Sequence, residues 1–258
     1  MSPMPSPGPV RIEPVRIEVC KNEDHLAACA ASRFVELAGR ALGARGMFHV
    51  ALAGGQTPQA AYALLHQEHM AWQVVWPAVQ IYFSDERCVA ADHPDSNYRM
   101  AHETLLSRVP LKEANVHRMR GEEDPARAAE EYERDLRAQF GSMPVRLDLV
   151  MLGMGADGHT ASLFPGGPPG GESGPLVADA VAPDGGRRIT LTLPAINAAR
   201  TVMVIVSGAG KAAMLKRVLG AGALAEGLPI QQVKPADGQL LWVIDQAAAS
   251  ELDGPSSS

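Results

Sequence analysis

The chain alternates between short apolar runs and longer stretches in which apolar residues recur every three or four positions. The apolar runs are five to seven residues long and are bounded by polar residues, glycine or proline, which is typical of buried strands. Because helical patterns separate these runs, the order of elements predicts an α/β fold with a mostly parallel open sheet. The predicted strands span residues 15–19, 47–53, 79–84, 147–152, 201–206 and 240–244.

Five stretches between these runs have the spacing of amphipathic helices. Thr57 and Asp124 each stand directly before a proline, which predicts a helix N-cap at both positions, and residues 95–97 predict a third cap. We expect helices on both faces of a Rossmann-like sheet, with a small antiparallel appendage over residues 175–193. The predicted helices span residues 23–43, 58–66, 96–107, 124–140 and 211–219.

Length and composition are those of one globular domain. The 258 residues are 46% hydrophobic and 20% charged, so the chain can bury a large core. Five prolines among the first fourteen residues predict a disordered tail over 1–14, and the ending GPSSS predicts a flexible tail over 251–258. We therefore expect a single α/β domain over residues 15–250.

Charge and cysteine content argue against several classes of partner. The formal net charge is −6 and no basic stripe is visible, so we expect neither nucleic acid nor a membrane as partner. Three cysteines without a CxxC pair argue against a disulfide framework. With no signal peptide and no apolar run of membrane-spanning length, we expect a cytoplasmic protein that acts as a monomer.

The segment LDLVMLGMGADGHTASLFP at 147–165 carries the most chemistry. Its apolar run ends in a glycine turn, and His159 follows directly. Ligands of open α/β sheets bind outside the carboxyl ends of strands, so His159 is the candidate general base and Gly158 a candidate substrate contact. Asp157 can either orient His159 or cap the turn, and both interpretations stay open. Backbone N–H groups of the turn are candidate oxyanion donors.

Gly153, Gly155 and Gly158 of this turn also satisfy GxGxxG, the fingerprint of dinucleotide binding. Asp179 stands where a ribose-binding acid would be expected. That fingerprint requires a long helix after the last glycine. Here residues 165–175 contain four prolines and five glycines, which cannot continue a helix. We therefore expect no nucleotide cofactor. The remaining histidines show no ligand spacing, so we expect no metal either.

Polar and basic residues follow three other predicted strands. The turn GGQTP at 54–58 joins a strand to a helix, where free N–H groups suit a phosphate, although an ordinary capped turn fits as well. Arg87 can bind phosphate bidentately, although residues 85–87 can also be a solvated charge cluster. Lys211 stands at a predicted helix start, where an anionic ligand would explain a lysine. The candidate substrate-binding residues are Gly54, Gly55, Thr57, Asp85, Arg87, Arg188 and Lys211.

The stretch GMGADGHTASLFP resembles the signature of the 6-phosphogluconolactonase family. Five further motifs follow in the family's order, so the resemblance covers roughly residues 15–250: AGGQTP at 53–58, FSDERCVAADHPDSNYRM at 83–100, RITLTLPAINAAR at 188–200, SGAGK at 207–211 and LPIQQV at 228–233.

The resemblance implies a fold of the sugar-phosphate isomerase/deaminase type and a sugar phosphate lactone as the small-molecule partner. It also implies hydrolysis of 6-phospho-D-glucono-1,5-lactone in the oxidative pentose phosphate pathway, with His159 as base and with Arg87 and Lys211 on the substrate. The family usually has serine where Ala53 and Gln56 stand, which removes two hydroxyl groups from the phosphate turn.

Two alternative functions remain open. Glucosamine-6-phosphate deaminases have a similar turn that continues GHIAFNEP, with a glutamate that supports acid–base chemistry. Here the stretch is GHTASLFP, and Phe164 stands at the position of that glutamate. A sugar-phosphate sensor usually carries a DNA-binding module, and the fourteen-residue extension is too short for one.

Overall fold

Six strands form a parallel sheet with the order β1-β9-β8-β5-β2-β3 in the computed structural model, which describes residues 15–167, 174–220 and 227–252. Each neighbouring pair in this sheet is parallel, as predicted for strands joined through helices. The nine strands are β1 (Val15–Cys20), β2 (Phe48–Leu52), β3 (Val79–Phe83), β4 (Asp85–Arg87), β5 (Leu149–Leu152), β6 (Val177–Val181), β7 (Arg187–Leu191), β8 (Thr201–Val206) and β9 (Gln239–Asp245).

A second, three-stranded antiparallel sheet has the order β4-β7-β6 and confirms the small antiparallel appendage. Its strand β4 differs from the prediction, which placed Asp85 and Arg87 after the end of a strand. The chain crosses from one sheet to the other at Ser84. The N–H of Ser84 donates to the Leu52 carbonyl of the main sheet, whereas its carbonyl accepts from Leu191 next to the small one.

Helices pack against the main sheet and complete the predicted α/β architecture. Asp124 caps α5 by accepting from the N–H of Arg127 at 3.1 Å, and Ser96 caps α4 by accepting from Arg99, as predicted. The helices are α1 (Glu23–Arg45), α2 (Gln56–Leu65), α3 (Glu68–Ala71), α4 (Asn97–Thr104), α5 (Pro125–Phe140), α6 (Leu193–Asn197) and α7 (Ala212–Leu219).

The predicted N-cap at Thr57 is wrong. Gly55 occupies the cap position with an extended, positive-φ backbone, so α2 begins at Gln56 and Thr57 lies inside its first turn. No side chain caps this helix start, which leaves its first N–H groups open. The predicted helix at 211–219 also begins slightly later, at Ala212, after a 3₁₀ turn over Ala209–Lys211.

Burial of the central strands fixes the position of the loops that follow them. All four residues of β5 are fully buried, and Phe34 of α1 packs edge-on against Phe48 of β2 with ring centroids 5.2 Å apart. Interiors packed in this way deform little, so the carboxyl ends of the strands form a rigid base for the connecting turns.

The edge strand β1 presents two different faces. Glu18 points toward α1, where it accepts a hydrogen bond from the Nε of Arg33 at 3.1 Å. On the other face Val15, Ile17 and Val19 remain 47%, 44% and 55% exposed. Among the described residues these three side chains form an apolar row at one edge of the sheet.

Some predictions concern residues outside the described ranges. They include the tail over 1–14, the end of the tail over 251–258 and the centre of the proline- and glycine-rich loop at 165–175. No helix in the described part of the chain combines the length and the apolar character needed to cross a membrane.

Candidate active site

A cavity of about 280 Å³ opens at the carboxyl ends of β2, β3, β5 and β8. Its walls come from four separate segments of the chain, each of which follows one of these strands. Predicted site residues from all four segments line it: Gly54, Gly55, Thr57, Asp85, Arg87, His159 and Lys211. The parallel sheet therefore places the candidate base and the candidate cations around one space.

His159 is held at the cavity by Asp157. Its ring Nδ1 lies 2.6 Å from Oδ1 of Asp157, and the same oxygen accepts from the His159 backbone N–H at 3.1 Å. Asp157 thus makes both of the contacts that the sequence left as alternatives. A carboxylate can only accept, so the proton of a neutral imidazole belongs on Nδ1 and leaves Nε2 free to act as a base. The His159 side chain is 36% exposed.

The Asp157 carboxyl stays ionised because of the same contacts. Partial burial alone would raise its pKa, but the hydrogen bonds from the backbone N–H and imidazole of His159 outweigh that effect. These bonds hold the pKa of Asp157 below its ordinary value. Asp157 therefore remains a fixed negative partner behind the ring.

Gly155 provides the room for this pair. A Cβ atom on Gly155 would overlap both the imidazole of His159 and the carboxylate of Asp157. The N–H of Gly155 also donates to the His159 carbonyl at 2.8 Å, which closes the turn on itself. The glycine thus permits the close approach of backbone and base.

The turn after His159 is strained and links the base to the small sheet. Ala161 has a φ of +47°, a left-handed conformation that is rare for a residue other than glycine. Ser162 donates from Oγ to Oδ2 of Asp85 at 2.7 Å, and Phe164 places its ring 5.1 Å from that of His159. The candidate base is therefore fixed from two sides.

The lining of the cavity also contains two cationic side chains and a helix start with open backbone donors. Arg87 donates from Nη1 to the carbonyl of Asp95 at 2.8 Å and to Oδ1 of Asn97 at 2.9 Å. In the part of the chain that the structure describes, the Lys211 side chain has neither a hydrogen bond nor an ion pair. Together with the uncapped start of α2, these groups can bind an anion.

Two predicted substrate contacts do not line the cavity. Gly158 lies against Leu228, and its carbonyl accepts from the N–H of Ile230 at 3.2 Å. Arg188 stands opposite Arg87 in the β4–β7 register, but its guanidinium donates to the Arg187 carbonyl at 3.0 Å. Both residues are therefore near the site without facing it.

Asn97 and Ser207 also line the cavity, although the sequence does not predict either as a site residue. Asn97 is 1% exposed and belongs to residues 95–97, for which the sequence predicts only a helix cap. Ser207 donates to Oδ2 of the buried Asp245 at 2.6 Å. An aspartate at the end of the apolar run 240–244 was the available signal for that second contact. Ala53 and Gln56, where the family usually has serine, also line the cavity.

The chain resembles proteins of one known family over most of its length. The family model described as "Glucosamine-6-phosphate isomerases/6-phosphogluconolactonase" matches residues 21–242. The human 6-phosphogluconolactonase is 40% identical over 255 residues, covering 94% of this chain and 95% of the relative. The Synechocystis 6-phosphogluconolactonase is 38% identical over 218 residues, covering 83% and 88%.

Solved structures agree with this match. The 6-phosphogluconolactonase from Trypanosoma cruzi superposes with a TM-score of 0.82 at 29% identity, covering 94% of this chain and 98% of the other. A monomeric glucosamine-6-phosphate deaminase reaches 0.78 at 18% identity, over 92% and 99% of the two chains, a level that shows the shared fold alone. The family model and the curated relatives span most of the sequence, and the chain belongs to the glucosamine-6-phosphate isomerase/6-phosphogluconolactonase family.

Proposed function

We propose that this protein hydrolyses 6-phospho-D-glucono-1,5-lactone to 6-phospho-D-gluconate, with His159 as general base. The observation that carries the proposal is the position of His159, at a strand end in a cavity whose lining also contains Arg87 and Lys211. The 6-phosphogluconolactonases among its relatives support the same reaction.

The reaction requires one proton to move twice. Nε2 of His159 takes a proton from water while the water oxygen forms a bond to the lactone carbonyl carbon. When the resulting intermediate collapses, the bond between that carbon and the ring oxygen breaks, and the imidazolium returns the proton to the departing oxygen. General acid–base help of this kind is worth about 10²–10⁴-fold.

Asp157 supports both steps from the other side of the ring. Its carboxylate holds the proton on Nδ1, so that Nε2 faces the reaction in its basic form. It also stabilises the imidazolium that exists between the two proton transfers. Because the pKa of Asp157 is lowered, the carboxylate keeps its charge throughout.

The phosphate group of the substrate belongs, in this proposal, beside the two cationic side chains of the cavity. Arg87, Lys211 and the first N–H groups of α2 approach the cavity from three different strand ends. A dianionic phosphate held there would fix one end of the sugar, which leaves the lactone carbonyl to be placed near His159. Arg188 remains a weaker candidate because its guanidinium is engaged outside the cavity.

Not every backbone N–H of the turn at 153–159 is open to act as an oxyanion donor. Three N–H groups of the turn are already engaged. Gly155 donates to the His159 carbonyl, Gly158 to the Gly155 carbonyl, and His159 to the carboxylate of Asp157. Gly153 and Met154 both line the cavity, and their N–H groups are outside this set. We therefore propose these two as the backbone donors that the turn offers to the developing negative charge.

Deamination of glucosamine 6-phosphate is the second candidate, and Phe164 argues against it. A phenyl ring packed against His159 cannot accept or donate a proton, so ring opening and amine loss would lack a catalyst. We expect no ammonia release from glucosamine 6-phosphate above background. Release at rates comparable to lactone hydrolysis would reverse the order of the two functions.

The decisive experiment adds purified protein to freshly made phosphogluconolactone and compares the rate with spontaneous hydrolysis. His159→Ala should lower kcat by about 10²-fold or more while 6-phosphogluconate still binds. His69→Ala, at an exposed histidine of α3, is the matched control and should keep full activity. Near-normal turnover in the His159 variant would refute the assignment of the base.

We further propose that the enzyme works without a metal, as a monomer in the cytoplasm. No group of three or more His, Cys, Asp or Glu side chains within residues 15–167, 174–220 and 227–252 could hold a metal ion. Dialysis against a chelator should leave the rate unchanged, and a loss restored by zinc or magnesium would contradict this. Sedimentation tests the monomeric state, and cell fractionation tests the cytoplasmic location.

A further inference from the structure

We propose that Asn97 is a positioning residue that orients the guanidinium of Arg87 toward the phosphate of the substrate. The proposal rests on the function proposed above and assigns a role to a residue outside the expected base and phosphate ligands. Asn97 is 1% exposed and begins α4, ten residues after Arg87 in the chain.

The amide of Asn97 uses all its polar atoms within the site. Its Oδ1 accepts from Nη1 of Arg87 at 2.9 Å. Its Nδ2 donates to the carbonyl of Asp85 at 2.8 Å and to Oδ1 of Asp85 at 3.2 Å. Since the carboxylate and the carbonyl can only accept, the amide has one orientation, with its oxygen facing the arginine.

A buried carboxylate fixes the backbone of Asn97. Oε1 of Glu86 accepts from the N–H groups of Asn97 at 2.7 Å and Arg87 at 2.8 Å. Its Oε2 accepts from the N–H of Tyr98 at 2.8 Å and from the Ser96 hydroxyl at 3.1 Å. Glu86 is 3% exposed, so these bonds tie β4 to the first turn of α4 in a setting where a missing bond would be costly.

Burial and hydrogen bonding act on Glu86 in opposite directions. Burial raises the pKa of its carboxyl, and the hydrogen bonds from the four donors offset this rise only in part. The carboxylate is shared between the two segments that carry Arg87 and Asn97. The two side chains are therefore set relative to each other by one common group.

The turn at 54–58, where we propose that phosphate binds, packs closely against the amide of Asn97. A Cβ atom on Gly54 would overlap the amide oxygen, carbon and nitrogen of Asn97, so this glycine leaves space for the amide as well as for an anion. Asn97 thus lies where the turn after β2 meets Arg87. Arg87 is held by two fixed acceptors, the Asn97 amide oxygen and the Asp95 carbonyl, and an arginine held in this way loses less side-chain freedom when it binds phosphate.

Replacing the amide should weaken phosphate recognition and leave the chemistry at His159 intact. We expect Asn97→Ala to raise the KM for the phosphorylated lactone and the Kd for 6-phosphogluconate about tenfold, with kcat changed less than about threefold. Unphosphorylated gluconolactone should keep its kcat/KM, because Arg87 has no phosphate to bind in that substrate.

A double-variant cycle separates positioning from a general structural effect. In an Arg87→Ala background, the further change Asn97→Ala should add less than about twofold to KM and Kd. If the fold-changes of the two single variants in KM and Kd instead multiplied in the double variant, Asn97 would act independently of Arg87 and the proposal would be overturned. Asn97→Asp keeps the size of the side chain, and its added charge should hold Arg87 away from phosphate, again raising KM.

Asp124→Ala is the matched control because it removes the cap of another helix, α5, away from the cavity. It should lower Tm without changing KM, and a KM change equal to that of Asn97→Ala would refute a specific role. If wild-type protein bound 6-phosphogluconate without speeding lactone hydrolysis, the proposed function would fail while the Kd series still tested Asn97. Absence of 6-phosphogluconate binding would overturn both.

Discussion

The imidazole of His159 occupies the space that a side chain on Gly155 would need. Gly155→Ala should therefore displace the base or open its contact with Asp157, and we expect kcat to fall by at least about 10²-fold. The measurement is lactone turnover together with a thermal melt, which shows whether the fold survives.

Gly39→Ala is the control for that variant, because nothing lies within 4 Å of the added atom in α1. It should keep full activity. An active Gly155→Ala protein would mean that the position of the ring in the turn is unimportant for turnover.

Asp157→Asn tests the charge behind the imidazole. The contacts with His159 lower the pKa of Asp157, so its carboxyl is held in the ionised form. Without the carboxylate the imidazolium loses a stabilising partner. We expect kcat to fall at least about tenfold, as measured by lactone turnover. An unchanged kcat would show that Asp157 only closes the turn.

At the residue scale, local sequence predicted the candidate base but not the residues that hold it in place. His159 stands out because a glycine turn follows a buried strand, a signal contained in about ten neighbouring residues. Asn97 contacts Arg87 and Asp85, which lie on a different element, and Ser162 contacts Asp85, 77 residues earlier in the chain. Such contacts depend on how the sheet brings loops together, which no local pattern records.

Helix α1 offers a test at the scale of an element. Gly43 is exposed in its last turns, has ordinary helical φ and has nothing within 4 Å of an added Cβ. Gly43→Ala should raise the free energy of unfolding by about 0.5–1 kcal/mol, because alanine restricts the unfolded chain and favours the helix. Urea unfolding measures the change, and a destabilised variant would contradict the open environment of this position.

Elements whose start is set by neighbouring residues were predictable, and the others were not. Asp124 caps α5 as expected, since cap and proline are adjacent in sequence. At α2 the glycine before Gln56 takes the cap position, so the expected role of Thr57 fails. Strand β4 has three residues and exists because it pairs with Arg188–Thr190, a hundred residues away in the chain.

The whole molecule brings cations from separate strand ends to one cavity, so under the proposed function phosphate recognition is a property of the assembled sheet. Arg87→Ala and Lys211→Ala should each raise KM for the phosphorylated lactone about tenfold or more, and unphosphorylated gluconolactone should be a poor substrate. Lys112→Ala, at an exposed lysine away from the cavity, is the control for lost charge. Equal kcat/KM for both lactones would refute a phosphate anchor.

The apolar row on β1 has a consequence for how this protein behaves at high concentration. An exposed strand edge with hydrophobic side chains can template the addition of another strand, which is the first step of aggregation. Partly heated protein should therefore associate through Val15, Ile17 and Val19 before its central strands open. Ile17→Lys should suppress turbidity on heating and keep turnover intact, whereas Val75→Lys, at a 59% exposed residue outside the strands, should leave the aggregation rate unchanged.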